Sequence, residues 1–252
     1  MLAISESEVR ELLPMNECIE ILDRLFTESA KGGTANLRRH RLPLIRGAQQ
    51  IMAGTSDSLD VTGLKTYVTP GKSGSHMMVL IYRVSTGEPL AILGANALGQ
   101  IRTGAASGVA TRYMSNQGSA TVAIIGSGSQ AITQLAAVCA VRPITKAKIY
   151  SRSKENRERF SREAEAQINI DVNPVETTEA ALLDADVVCV ITNSRDPVLL
   201  GEQLTPGLHV NAAGSNHWMR RELDHTAIST FNSIVVDDLE DAKVECGDLI
   251  WA

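Results

Sequence analysis

The sequence is short of aromatic rings, of excess positive charge and of clustered cysteine, and each shortage narrows what the chain can do. Phe, Tyr and Trp make up 4% of its 252 residues. Surfaces that grip single-stranded nucleic acid stack bases on aromatic rings, so this composition points away from them. The formal net charge is -5, an acidic excess that disfavours nucleic acid and anionic membrane as partners. Cys18, Cys139, Cys189 and Cys246 lie far apart and form no C-x-x-C pair. That spacing argues against a zinc site or a disulfide framework and for reduced thiols. No stretch is apolar over the length a bilayer demands, and no basic segment leads into an apolar run near the N-terminus. The expectation is a cytoplasmic protein with no membrane partner and no metal. What is present is ordinary for a globular chain. Hydrophobic residues account for 44% and charged residues for 21%, enough to bury a sizeable core in one large domain or two modest ones.

Apolar residues at helical spacing predict a helical region over 5–30, opened by a Ser5/Glu8 capping box and interrupted at Pro14. A basic stretch follows over 37–46, with Arg38, Arg39, His40, Arg41 and Arg46. Residues 51–55, 63–68 and 77–82 read as short strands, 85–88 as a turn and 89–93 as the returning strand. Residues 97–114 read as a helix rich in small side chains. From Thr121 the period changes. Apolar strands at 121–125, 147–150 and 187–191 alternate with helices at 130–141, 154–167 and 178–183. Further strands are expected near Val172, at 208–212 and at 234–236. Strand–helix alternation predicts an α/β fold, a Rossmann-type doubly wound parallel sheet over 116–252, preceded by an α+β domain over 1–115.

Gly126-Ser127-Gly128-Ser129-Gln130-Ala131 fits G-x-G-x-x-A directly between an apolar strand and a helix. The first glycine makes the tight turn, the second admits a pyrophosphate to the backbone, and Ala131 keeps helix and strand close. The helix start adds N–H donors and a positive dipole end for the phosphates. The next strand ends in Ile149-Tyr150-Ser151-Arg152-Ser153. A site for NAD places Asp or Glu there to accept from the ribose hydroxyls. This chain has none, while Arg152 can pair with a 2′-phosphate and Ser151 and Ser153 can donate to it. The cofactor expected is NADP(H) in preference to NAD(H). Arg157, one turn into the following helix, is either a further phosphate contact or a solvated charge.

A second set of candidates lies in the first half: Arg39 or Arg41, Lys65 in Gly63-Leu64-Lys65-Thr66, and Arg102 in Gln100-Ile101-Arg102-Thr103-Gly104-Ala105-Ala106. Lys65 sits in an apolar strand pattern and Arg102 near the start of the small-residue helix, with no acid beside either. A buried cation needs an anion. A substrate carboxylate supplies one, held bidentately by Arg and as a point charge by Lys.

Together these blocks resemble the ornithine cyclodeaminase/mu-crystallin family over nearly the whole chain. The resemblance is carried by Gly63-Leu64-Lys65, Arg102-Thr103-Gly104-Ala105, the glycine turn at 126–131 and Ser151-Arg152-Ser153. It continues in Pro206-Gly207-Leu208-His209-Val210-Asn211-Ala212 with Gly214, in Arg221-Glu222-Leu223-Asp224 and in Gly247-Asp248-Leu249-Ile250. It implies a homodimer formed through the first domain and an active site between the two domains. There Arg39, Lys65 and Arg102 would hold the substrate carboxylate, with Met52 in the pocket and Arg41 competing with Arg39. The expected cofactor set extends from the glycine turn to Thr103, Thr192 and Asn193.

Two positions depart from the family pattern. Where the cyclodeaminase has its acid/base aspartate, this chain has Asn216, an amide that orients a water or an imine nitrogen but exchanges no proton at neutral pH. Where the cyclodeaminase has a glutamate two residues before a methionine, this chain has Gln50 before Met52. His217 is either a general acid or a solvated loop histidine. Family members continue beyond the Gly247 block, so a C-terminal tail is expected to be absent here, with apolar surface exposed near Trp251.

The function expected is an NADP(H)-dependent reductase or dehydrogenase of a small amino or cyclic imino acid. Lys65 would donate the proton to nitrogen, and Asn216 would orient a water or the imine nitrogen. Two other readings stay open: an ornithine cyclodeaminase-type ammonia lyase, and a non-catalytic protein that binds NADPH and a small ligand.

Overall fold

Turns at 32–33, 57–60 and 85–88 fold the first part of the chain back on itself and make a sheet of it. The computed structural model describes residues 1–69 and 75–252. It divides into two units, Met1–Arg102 and Thr103–Ala252. The first unit contains β1 (Leu2–Ile4), α1 (Glu6–Leu12), α2 (Met15–Ala30), β2 (Thr34–Pro43), β3 (Ala48–Ser56), β4 (Val61–Thr69), β5 (Met78–Arg83) and β6 (Pro89–Gly94). The sheet order is β1-β6-β5-β4-β3-β2. β1 runs parallel to β6, and the other neighbours are antiparallel. The capping box forms as expected: the Ser5 hydroxyl accepts from the Glu8 N–H, and the Glu8 carboxylate accepts from the Ser5 N–H. Pro14 separates α1 from α2.

The basic stretch, which suggested no strand in the sequence, lies mostly within β2. Its charges suit an edge strand, where they oppose pairing with other chains. The register of β2 against β3 shifts between Leu37 and His40. Met52 pairs with Lys65 and Gln50 with Tyr67, and Arg41 pairs with Gln50. Opposed residues share a face and alternate along each strand. Gln50, Met52, Lys65, Tyr67 and Arg41 therefore emerge on one side of the sheet.

α3 (Asn96–Met114) spans the division between the units. The second unit continues with β7 (Thr121–Ile125), α4 (Ala131–Val141), β8 (Lys146–Tyr150), α5 (Lys154–Ile168), β9 (Asp171–Pro174), α6 (Thr178–Leu182), β10 (Val187–Val190) and β11 (His209–Ala212). It ends in α7 (His225–Thr230), α8 (Leu239–Glu245) and α9 (Gly247–Ile250). Its strands are all parallel in the order β11-β10-β7-β8-β9. The chain moves outward from β7 in one direction, then restarts at β10 on the other side. The switch point between β7 and β10 is where sheets of this class bind ligands. Both faces are packed. Val122 and Ile124 belong to a core with Leu135, Ile149 and Phe160. Ala123 and Ile125 belong to another with Val188, Val190, Leu199 and Leu223. That explains the continuous apolar strands in the sequence.

The strand expected at 234–236 is absent. Ile234 and Val235 lie outside any strand and are exposed. Three β-prone residues between Asn232-Ser233 and Asp237-Asp238 have no face to bury, and propensity alone does not make a strand.

Within the second unit, α3 and α4 meet at Gly104. A Cβ there would press into the Thr133 carbonyl. At the end of α3, Arg142 donates through Nη2 to the carbonyls of Thr111, Arg112 and Ser115 at 2.9, 2.6 and 2.9 Å. Carbonyls that the helix leaves open are satisfied this way. Gly104→Ala sets two effects against each other. Alanine gains about 1 kcal/mol in helix propensity, whereas overpacking against backbone that cannot swing aside costs ~1–3 kcal/mol. The expected outcome is a lowered urea midpoint. A raised midpoint would show that the helices separate freely.

Candidate functional site

The glycine turn begins directly after the last residue of β7. Gly126 has φ 111°, a conformation that side chains resist. A Cβ there would also collide with the Ile191 carbonyl beyond β10. At Gly128 a Cβ would meet nothing within 4 Å, so the backbone lies open to an approaching group. Gln130 caps α4 without a side-chain hydrogen bond, which leaves first-turn N–H groups for an anion. Ala131 is fully buried against the sheet. Ser127 donates to the Ser151 hydroxyl at 2.9 Å and ties the turn to the end of β8. These features fit a dinucleotide's pyrophosphate.

Past β8, Ser151 donates to the Ser153 carbonyl at 3.1 Å. The Ser153 hydroxyl caps α5: it accepts from the Asn156 N–H at 3.1 Å and donates to Glu155 at 2.8 Å. Arg152 is exposed and Asn193 is exposed. Arg157 is not the solvated charge that was one of the two readings of the sequence. It is buried, donates to the Ser151 carbonyl at 3.1 Å and lies 4.0 Å from Glu176, so it braces the loop from inside. Thr192 stands beside Gly126 at the end of β10. Thr103 is half-buried on α3, and its carbonyl is 3.4 Å from the Gln134 amide nitrogen. Asn216 is exposed in the loop beyond β11. The ring of His217 stacks on Trp218 at 6.0 Å, and its Nδ1 accepts from the Met219 N–H at 3.2 Å.

Sequence reasoning gave no role to Glu222, which is fully buried in the second unit. Its carboxylate accepts from the Thr192 N–H at 2.5 Å and the Gly214 N–H at 2.7 Å. One side chain thus holds the carboxyl-end loops of β10 and β11 in place. Gly214 has no side chain because a Cβ would run into both Glu222 oxygens. Asp248 in turn accepts from the N–H groups of Glu222 and Leu223 at 2.5 and 2.9 Å. Burial pushes Glu222 up to about 7, against the pull of its N–H partners. The sequence signal was the Arg221-Glu222-Leu223-Asp224 block, in which nothing marks the buried member.

In the first unit, Lys65 is half-buried at the middle of β4. Burial, then the guanidiniums of Arg102 and Arg39, bring its ammonium down to about 8. Its Nζ stands 5.6 Å from the Tyr67 ring centroid. Arg39 Nη1 donates to the Tyr67 hydroxyl at 2.7 Å. Gly99, in the first turn of α3, faces Lys65: a Cβ there would lie 3.7 Å from Nζ. Arg102 follows one turn later, on the same side of the helix. Gln50 is buried, and among the described residues its Oε1 has no hydrogen-bond partner. Met52 lies opposite Lys65. Arg41 shares the face but is exposed. The structure thus gathers Arg39, Lys65, Arg102 and Met52, and adds Tyr67, which sequence reasoning passed over.

The ornithine cyclodeaminase/mu-crystallin family model matches residues 2–250. The Δ1-pyrroline-2-carboxylate reductase of Bacillus cereus is 36% identical over 257 residues, covering 99% of this chain and 79% of that protein. The Thermococcus litoralis Δ1-pyrroline-2-carboxylate reductase in complex with NADH and L-proline matches with a TM-score of 0.94 at 32% identity, over 99% of this chain and 80% of that one. An archaeal alanine dehydrogenase dimer with bound NAD gives 0.89 at 29% identity, over 97% and 76%.

Glu222→Gln isolates the carboxylate's part. The amide nitrogen must face one of two N–H donors, and an unsatisfied buried pair costs ~1–3 kcal/mol. The sign of the pH effect follows from the raised folded value. Native Glu222 holds a proton that the unfolded chain releases between pH 4.5 and about 7, so its contribution to stability falls as pH rises through that window. Denaturant titrations should find the variant less stable, with a flatter pH dependence there. An unchanged slope would show that Glu222 does not titrate in that range.

Proposed function

Because the chain belongs to the ornithine cyclodeaminase/mu-crystallin family, we propose that it is an NADPH-dependent reductase of small cyclic imino acids, of the Δ1-pyrroline-2-carboxylate kind. The observation that carries this reading is the half-buried Lys65, lowered by burial and then by the guanidiniums of Arg102 and Arg39. Three cations on one surface repel one another, and a carboxylate relieves that repulsion. Arg39 and Arg102 grip the carboxylate, and their charge persists at any working pH. Lys65 adds a point charge and a proton. An ordinary lysine is too weak an acid to part with it readily near neutrality. At about 8, Lys65 is still mostly protonated at pH 7 and gives up its proton more easily.

Reduction of a C=N bond takes one hydride at carbon and one proton at nitrogen. The bound reduced nicotinamide supplies the hydride. Lys65 delivers the proton. Asn216 offers an amide where a lyase of this family has an acid/base carboxylate, which supports reduction over ammonia loss.

The 2′-phosphate preference rests on Arg152 and on the absence of a carboxylate at 150–153. The relatives' structures hold NADH and NAD, so this part of the reading rests on the sequence of this chain alone. Arg152→Asp should turn it toward NADH. Leu37, Leu42, Val68 and Met78 lie on the sheet face opposite Lys65 and are exposed, which supports a homodimer through the first unit. No helix among the described residues is long and apolar enough to cross a membrane. Four unpaired thiols and an NADPH requirement suit the reducing cytoplasm.

The purified protein, given NADPH and Δ1-pyrroline-2-carboxylate, should form proline with equal loss of NADPH absorbance. The activity should be full below pH 8 and fall as pH rises through about 8, where the donor loses its proton. Lys65→Met should lower kcat/KM by ~10²–10⁴-fold while leaving NADPH affinity unchanged. Ammonia release without net NADPH oxidation, or NADPH binding without turnover, would contradict the reading.

A further inference from the structure

Lys65 and Arg39 both engage a side chain that carries no charge. Tyr67 follows Lys65 by two residues on β4, so it emerges on the same face. Arg39 reaches its hydroxyl from β2 at 2.7 Å. The Lys65 ammonium lies 5.6 Å from its ring centroid, within the range at which a ring face attracts a cation. We propose that Tyr67 is the positioning residue of the substrate site: its hydroxyl oxygen anchors the Arg39 guanidinium while its ring holds the Lys65 ammonium, so that both point at one carboxylate. The proposal rests on the reductase reading.

A neutral ring is the side chain that this task needs. Aspartate or glutamate at position 67 would pair with both cations, occupy the donors meant for substrate and hold Lys65 fully charged. An aliphatic residue would leave Arg39 without this anchor. The phenol accepts one guanidinium N–H of Arg39. Gln50, buried on β3, lies directly opposite Tyr67 in the register. Lys65 is lowered by burial, then by Arg102 on α3 and Arg39 on β2, and the Tyr67 ring lies 5.6 Å from its ammonium. Arg41 on β2 shares the face, and Cys18 on α2 lies within the field of Arg102 with its thiol held protonated by burial.

Two variants separate the hydroxyl from the ring. Tyr67→Phe keeps the ring. It should raise KM for the imino acid about tenfold, the worth of one hydrogen bond to a charged group, with kcat and the pH profile unchanged. Tyr67→Leu removes the ring as well. It should raise KM likewise and move the alkaline limb of kcat/KM to lower pH, because the charged form of Lys65 loses its support. The pH dependence of Lys65 acylation, read by peptide mass spectrometry without coenzyme, should shift the same way. NADPH affinity should be unaltered in both. Unchanged KM in Tyr67→Phe, an unmoved Lys65 titration in Tyr67→Leu, or parallel loss of kcat, NADPH affinity and thermal stability would overturn the proposal. Lys65→Met distinguishes the two levels. If it is fully active, the reductase reading fails and the positioning role falls with it. If it is inactive while both Tyr67 variants match the wild type, only the positioning role is lost.

Discussion

The proposed chemistry depends on one constraint in the first unit: burial of Lys65, and then the guanidiniums of Arg102 and Arg39, bring its ammonium down to about 8. Register creates the crowding. β4 places Lys65 opposite Met52, and the shifted β2 edge brings Arg39 to Tyr67 on the same surface. Partial burial makes the Lys65 charge expensive, and Lys65 yields because an ammonium can lose a proton where a guanidinium cannot; Arg102, which the sequence suggested would be buried, is exposed. The outcome is a surface primed for an anion and holding a proton donor tuned toward neutrality. Both properties come from one arrangement, so a change that relaxes the crowding weakens carboxylate binding and proton delivery together.

The second unit treats negative charge differently. It presents backbone N–H groups at the start of α4 and an open glycine rather than a cluster of side-chain cations. Its own buried carboxylates point away from that task. Glu222 binds the loops after β10 and β11, and Asp248 binds the segment that carries Glu222. The loops after β10 and β11 thus depend on a stack of acid-to-amide hydrogen bonds. Gly126 and Gly214 are glycines because a Cβ at either would strike what holds the loops together.

Legibility in the sequence followed the range of the interactions. Parallel strands buried on both faces write themselves as unbroken apolar runs, and a strand–glycine–helix turn is a local pattern, so most of the second unit could be read directly. The run at 234–236 looked the same over three residues but had no surface to cover. β2 was hidden because an edge strand tolerates the charges that elsewhere signal a loop. Lys65 and Arg102 were visible as cations out of place. Tyr67 was not, since its part depends on which residue of β2 arrives beside it. Arg157 and Glu222 were hidden for a related reason: the charge of a side chain can be read from sequence, but the direction in which it points cannot.

Proton uptake on anion binding tests the cation-crowding account most directly. Pyrrole-2-carboxylate is planar and carries no group that titrates near pH 8. Calorimetry of its binding to the NADPH-loaded protein, repeated in buffers of different ionisation enthalpy, counts the protons exchanged. A carboxylate seated among these cations offsets the pull of the two guanidiniums and raises the Lys65 ammonium, while burial keeps it below an ordinary lysine. Binding at pH 8 should then take up part of a proton, and binding at pH 6 almost none. Binding at pH 8 with no proton exchanged, or with protons released, would show that the anion does not meet Lys65.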